Sequence, residues 1–174
     1  DASESSRITD AFIRAADASV TTVSELADAL STIGPTAAAF GWSLEDTNTA
    51  LAILSQRGIR GAEAGTALKS MMTNLMQQTK DTVGTLKSLG VTLYDTEGRM
   101  RSLPDIIGQL SDALAVGAER TGTLTEEQRN AAVQTLAGTY GMKAMNTMLA
   151  EGADGWKAME EAISAAASTQ ESAA

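Results

Sequence analysis

Three groups of residues in this sequence have types and spacing that chemistry could use. Gly58, Gly61 and Gly65 fall at intervals that suggest a phosphate-cradling loop. Such a loop needs a preceding β-strand and a closing Gly-Lys followed by Ser or Thr, and both are missing here. The three glycines read as a helix corner, where the missing β-carbons let the backbone turn and helices approach closely. Asp95 and Glu97 beside Gly98 offer carboxylates to calcium, but the further oxygen ligands of a twelve-residue cradle are lacking. Turn formation accounts for both Asp and Gly. The glutamate pairs Glu126-Glu127 and Glu160-Glu161 invite a glycosidase reading, yet neighbours on a helix point different ways. Glycan cleavage needs two carboxylates across a cleft, and two Trp with two Tyr supply little material for sugar platforms. Acids in a first helical turn, favoured by the helix dipole, explain Glu126 and Glu127 better.

The chain has no Cys and no His. That excludes a disulfide framework, thiolate or imidazole metal sites, and Cys- or His-based catalysis. No catalytic residue, metal site or cofactor is expected. What remains is a set of apolar surfaces. Met142, Met145 and Met148 form a stripe that reads as core. Leu68, Met71, Met72, Leu75 and Met76 allow two readings, gap-filling core or an adaptable face for a partner helix.

Stepping outward, these positions need helices. From Ala62 the apolar residues recur at helical spacing through Leu89, giving one amphipathic helix of about 28 residues, ~40 Å long. That length would outrun a small packed body, which motivates the partner-face reading. Gly90 stands where a left-handed cap would end the helix. Val91 to Tyr94 alternates as a strand, Asp95-Thr96-Glu97-Gly98 suits a type I turn, and Arg99 to Arg101 returns, so a small β-hairpin is expected over about 91–101. Ser102 and Pro104, with Asp105 reaching back to the cap, then open another helix.

Elsewhere the pattern predicts a first helix from Ser3 or Ser6 to about Ala18 and a second capped by Thr22. Gly34-Pro35 would break or kink this second helix. A third starts at Ser43 and ends near Arg57-Gly58. Val116 to Thr123 reads as a loop and the readiest site of mobility or proteolysis. Thr125 with Gln128 starts a helix to about Leu136, Gly138 and Gly141 allow a break, a stripe ends at Gly152, and a last helix follows Trp156.

With 174 residues, 43% of them apolar and only 3% aromatic, the chain suits one helical domain whose core is Ala, Leu and Met. The expected fold is all-α, several helices around Ala62–Leu89 with one hairpin, in helical subregions of about 3–57, 61–89, 103–116 and 125–170. A net charge of −9 disfavours nucleic-acid binding. No apolar run approaches the ~20 residues of a membrane-spanning helix.

The run RGIRGAEAGTALKSMMTNL, followed by LGVTLYDTEGRMRSLPDIIGQL, resembles the core region of tape measure proteins from long-tailed bacteriophages. The family pattern is a G-x-x-G-x-E-A-G-T-A-L corner leading to an L-G-V-x-x-Y-D-x-x-G-x-x-R-x-L-P hairpin. Here its positions are Gly58, Gly61, Gly65, Gly90, Tyr94, Asp95, Gly98, Arg101 and Pro104. The flanks GPTAAAFGWSLEDTNTALAIL and LTEEQRNAAVQTLAGTYGMKAMNTML extend the resemblance over nearly the whole chain. Arg57 departs from it, since Asn or another small polar residue is expected there. The resemblance implies a fragment of a longer structural virion protein, made in the host cytoplasm and lodged in the tail tube lumen. It would scaffold tube assembly, help set tail length and leave during DNA ejection. Implied partners are further copies in a low-order oligomer, tail tube and tip proteins, and tail assembly chaperones. A cell-wall- or membrane-active delivery domain of the same particle is the alternative.

Overall fold

The computed structural model describes residues 2–114 and 124–171. It is all-α, with seven helical elements among the described residues: α1 Ala2–Asp17, α2 Val23–Ala39, α3 Leu44–Gln56, α4 Gly61–Met76, α5 Lys80–Leu89, α6 Leu103–Leu114 and α7 Glu126–Glu171. The loop expected at Val116–Thr123 lies outside the described residues.

Helix starts follow local hydrogen bonding. The Thr22 hydroxyl accepts from the Glu25 N–H while the Glu25 carboxylate accepts from the Thr22 N–H. The Ser43 hydroxyl accepts from the Asp46 N–H at 2.9 Å, and Thr125 and Gln128 bond reciprocally. Each satisfies amides that a helix leaves without carbonyl partners. Three helix ends share another device. Gly41, Gly58 and Gly90 take positive φ, and the next residue's N–H returns to a carbonyl of the last turn: Trp42 to Ala37, Ile59 to Leu54, Val91 to Leu86. This closure turns the chain and drives the apolar residue after each glycine inward. Trp42, Ile59 and Val91 are all buried.

The middle of the fold is α3, buried at every position from Thr47 to Ser55. Its hydroxyls are accommodated because they bond back into their own helix: Thr47 to the Ser43 carbonyl, Thr49 to Glu45 and Ser55 to Ala52. Beside it, α4 packs chiefly against α2 and α7. The approach is at backbone distance. A Cβ on Gly65 would lie 2.9 Å from the Ala29 Cα, and one on Gly141 2.7 Å from the Met71 Cα, so no larger residue fits either crossing unmoved. Within α7 the backbone leaves helical geometry at Gly138 and Gly152, the first being the break expected in that stretch and the second the end of the methionine stripe.

Three expectations are corrected. The long helix Ala62–Leu89 is two helices. Gln77 is extended, and the Thr79 hydroxyl accepts from the Thr82 N–H at 3.1 Å, capping α5 inside the polar run. Conversely, of the break or kink expected at Gly34-Pro35, the break is not made, and α2 passes through without ending. Pro35 and Ser31 are both exposed, so water can reach the carbonyl that the proline leaves unpaired. The β-hairpin over 91–101 is not formed. Among the described residues there is no strand, only an isolated antiparallel bridge between Tyr94 and Met100. Two backbone bonds flank the bridge, from the Asp95 N–H to the Arg99 carbonyl and from the Arg101 N–H to the Leu93 carbonyl, while Thr92 faces outward, its N–H donating to Gln109 Oε1 and its carbonyl accepting from Gln109 Nε2. The next acceptor of the ladder, the Arg101 carbonyl, accepts from Trp42 Nε1 instead, and α6 begins at Leu103, so pairing stops at one bridge.

Candidate functional site

The sequence singled out a helix corner, an apolar face and a turn. At the corner, Gly58 and Gly61 have φ of 81° and 54°, conformations that favour glycine, while Gly65 provides the close crossing with α2. Arg57, the departure from the family pattern, reaches across to α7, where its Nε donates to Glu151 Oε1 at 2.9 Å.

Leu68, Met71, Met72 and Leu75 are fully buried and Met76 is partly buried against the same core. In this fold the face is occupied by α2 and α7. The surplus length that made it a candidate partner seam does not exist, because α4 stops at Met76.

The turn is organised by Asp95. Its Oδ1 accepts from the N–H groups of Glu97 and Arg99, its Oδ2 accepts from Arg99 Nε, and its carbonyl accepts from the Gly98 N–H. These bonds, the Arg99 backbone N–H first, hold the Asp95 carboxyl below the usual aspartate value despite some desolvation. Gly98, with φ 78°, closes the turn. Arg101 donates from Nε to the Tyr94 carbonyl and from Nη1 to Asp105 Oδ2 at 2.7 Å, so Asp105 ties α6 to the turn as well as serving its first turn. Pro104 sits within that first turn of α6. Tyr94 remains 45% exposed. The Asp95 and Arg101 side chains are used to shape the chain, and the arrangement positions a surface and brings no reacting pair together.

The four glutamates of the tempting pairs go separate ways. Glu126 and Glu127 lie in the first turn of α7, Glu160 Oε1 accepts from Trp156 Nε1 at 2.8 Å, and Glu161 approaches Lys157 on its own helix.

Sequence reasoning missed a cleft between α1, α3 and the final stretch of α7, about 350 Å³ in volume, where Asp10, Arg14, Glu45, Asn48 and Glu160 converge. Asp46, next to it, has its carboxyl pushed up, first by burial and then by the Glu160 and Glu45 carboxylates, against the lowering effect of the Ser43 hydroxyl. An Asn between two Thr at the start of a helix, residues that read as polar first-turn positions, gave no usable signal.

Residues 1–138 match the family described as Phage-related minor tail protein. A tape measure protein of Pneumococcus phage Dp-1 is 35% identical over 150 residues, covering 86% of this chain and 12% of that protein. The chain therefore corresponds to a small part of its relative's length. No solved structure matches.

Proposed function

Because this chain belongs to the phage-related minor tail protein family and is similar over most of its length to a tape measure protein, we propose that it is a compact anchoring element of a tail tape measure, structural and not catalytic. The observation that supports this is discontinuity. A helical ruler counts ~1.5 Å per residue only while it is unbroken. Here the backbone turns at Gly58, at residues 77–79, at Gly90, at Gly138 and at Gly152, and the face that would bind a partner helix is taken by the chain itself.

Length is then set by other segments of the parent protein. This one scaffolds tube assembly in the lumen, in company with further copies, tube and tip proteins and assembly chaperones, and departs ahead of the DNA. The net charge of −9 keeps it from adhering to the passing duplex. Copies meet through surfaces outside the Leu68–Met76 face, since exposing that face would require α2 and α7 to lift away.

Light scattering coupled to small-angle X-ray scattering tests the compact reading, and a map of an assembled tail tests its place in the particle. A monomer with a radius of gyration of ~16 Å, seen as a globular density in the tail, is expected. An elongated oligomer in solution, or these residues traced as one uninterrupted rod in the tail, would overturn it.

A further inference from the structure

Three of the four buried side-chain polar atoms without a hydrogen-bond partner among the described residues belong to residues of the cleft between α1, α3 and α7; the fourth is Asn146 Oδ1. Asn48 is 2% exposed, yet neither its Oδ1 nor its Nδ2 has a hydrogen-bond partner, and the Nε of Arg14 is likewise buried and unpaired. The other buried polar side chains of α3, Thr47, Thr49 and Ser55, all return to helix carbonyls. Buried amides are almost always bonded, and one that is not calls for an explanation.

Both orphaned residues line the cleft, together with Asp10, Glu45 and Glu160. Trp156 Nε1 fixes one oxygen of Glu160, which holds that carboxylate in position. Three carboxylates against one guanidinium make the cleft electronegative, so an anion is excluded and a cation favoured. A bare cation satisfies only the acceptors, Asn48 Oδ1 and the carboxylates. The Asn48 Nδ2 and Arg14 Nε donors still need an oxygen. A ligand that carries both, a cationic side chain and a carbonyl a few bonds away, is a basic residue within a peptide.

We propose that this cleft binds a lysine- or arginine-bearing peptide segment, its cationic group set among Glu45, Glu160 and Asp10 and a backbone carbonyl received by Asn48 Nδ2 and Arg14 Nε. Asn48 acts as the selector, because a carboxamide can present an acceptor to the cation and a donor to the carbonyl at one point. The inference is independent of the tape measure reading, since any protein that offered such a segment would fit.

The test is a titration of the 174-residue chain, followed by side-chain amide and Trp indole NMR signals, with three probes: an acetylated, amidated Gly-Lys-Ala tripeptide, the same peptide with norleucine for lysine, and butylammonium. Saturable shifts of the Asn48 and Trp156 side-chain signals with the lysine peptide are expected, with binding at least ten-fold weaker for each of the other two probes. Glu160→Gln should weaken the lysine peptide several-fold, and Asn48→Leu should abolish its binding while the dispersed spectrum shows an intact fold. No saturable shift, equal binding of the norleucine peptide, or binding that survives Asn48→Leu would overturn the proposal. Butylammonium binding as tightly as the peptide would overturn the peptide assignment in favour of a free amine.

Discussion

The two sides of the core are built on opposite rules. Where α4 meets α2 and α7, atoms have been removed: Gly65 and Gly141 let backbones touch, and Leu68, Met71, Met72 and Leu75 fill the remaining space without exposure. Where α3 meets α1 and the end of α7, polar atoms have been left in: the Asn48 amide and the Arg14 Nε are buried without hydrogen-bond partners beside an open cleft. The same α7 serves both. Packing that tight determines one arrangement and leaves no room for a visitor, whereas unpaired polar groups cost stability in the isolated fold and are recovered only when something binds. Specification of the fold and recognition of a ligand are thus placed at different ends of one core.

The tight side is broken most severely by adding a single carbon. Gly65→Ala and Gly141→Ala each push a methyl into backbone, and each should lower unfolding free energy by ~2–3 kcal/mol, as overpacked cores do. Gly84→Ala supplies the control. It lies inside α5 with open space around it, so the same change should raise stability by ~0.5–1 kcal/mol through helix propensity. Urea unfolding of the three variants decides the matter. If Gly65→Ala and Gly84→Ala behave alike, the α2–α4 crossing is looser than described and the contrast between the two sides fails.

On the other side, removing polarity should help. Asn48→Leu deletes a buried amide whose bonds are unmade and fills part of the cleft, so unfolding free energy should rise by ~1–2 kcal/mol. A fall of similar size would mean that Asn48 is already satisfied within the fold, and the reason to expect a ligand would be lost with it.

Much of this contrast was hidden in the sequence, and the reason is range. Features decided within four residues were legible: the caps at Thr22, Ser43 and Thr125, the closing Gly90, the break at Gly138. Features decided by a distant partner were not. The hairpin stops at one bridge where its next acceptor, the Arg101 carbonyl, is taken by Trp42 Nε1, 59 residues away. Burial of the Leu68–Met76 face depends on α2 and α7, which periodicity in α4 cannot reveal. The second start at Thr79 was local and still missed, since a Thr with Thr three residues on, set in a polar run, reads as a solvated helical face before it reads as a cap. Pro35 shows the reverse error: a breaker signal was local, and its exposed position in α2 made it tolerable. Asn48 combines both difficulties, because an Asn between Thr47 and Thr49 reads as a solvated position and gives no hint that it is buried or that its partner is missing.

The smallest predicted effect separates the regions by sign. Asp95, in the turn, has its folded-state value lowered, first by the Arg99 N–H. Its contribution is therefore fully present above the unfolded aspartate value of ~3.9 and is lost as pH falls through the lower folded value. Asp46, beside the cleft, has its value raised, first by burial. The unfolded chain ionises it more readily, so it penalises the fold above its raised value, and the penalty disappears as pH falls toward ~3.9. Asp95→Asn should accordingly destabilise at neutral pH, and Asp46→Asn should stabilise. Both differences should shrink toward zero in acid, the Asp46 difference at the higher pH. Thermal unfolding of wild type and both variants across the acidic range measures this. If Asp46→Asn destabilises at neutral pH, the Ser43 hydroxyl outweighs the burial and the neighbouring carboxylates that raise Asp46, and the contrast in sign between the two regions fails. A lysine peptide that binds there should make the Asp46→Asn difference smaller, because a cation among those carboxylates offsets the repulsion that adds to burial in raising Asp46.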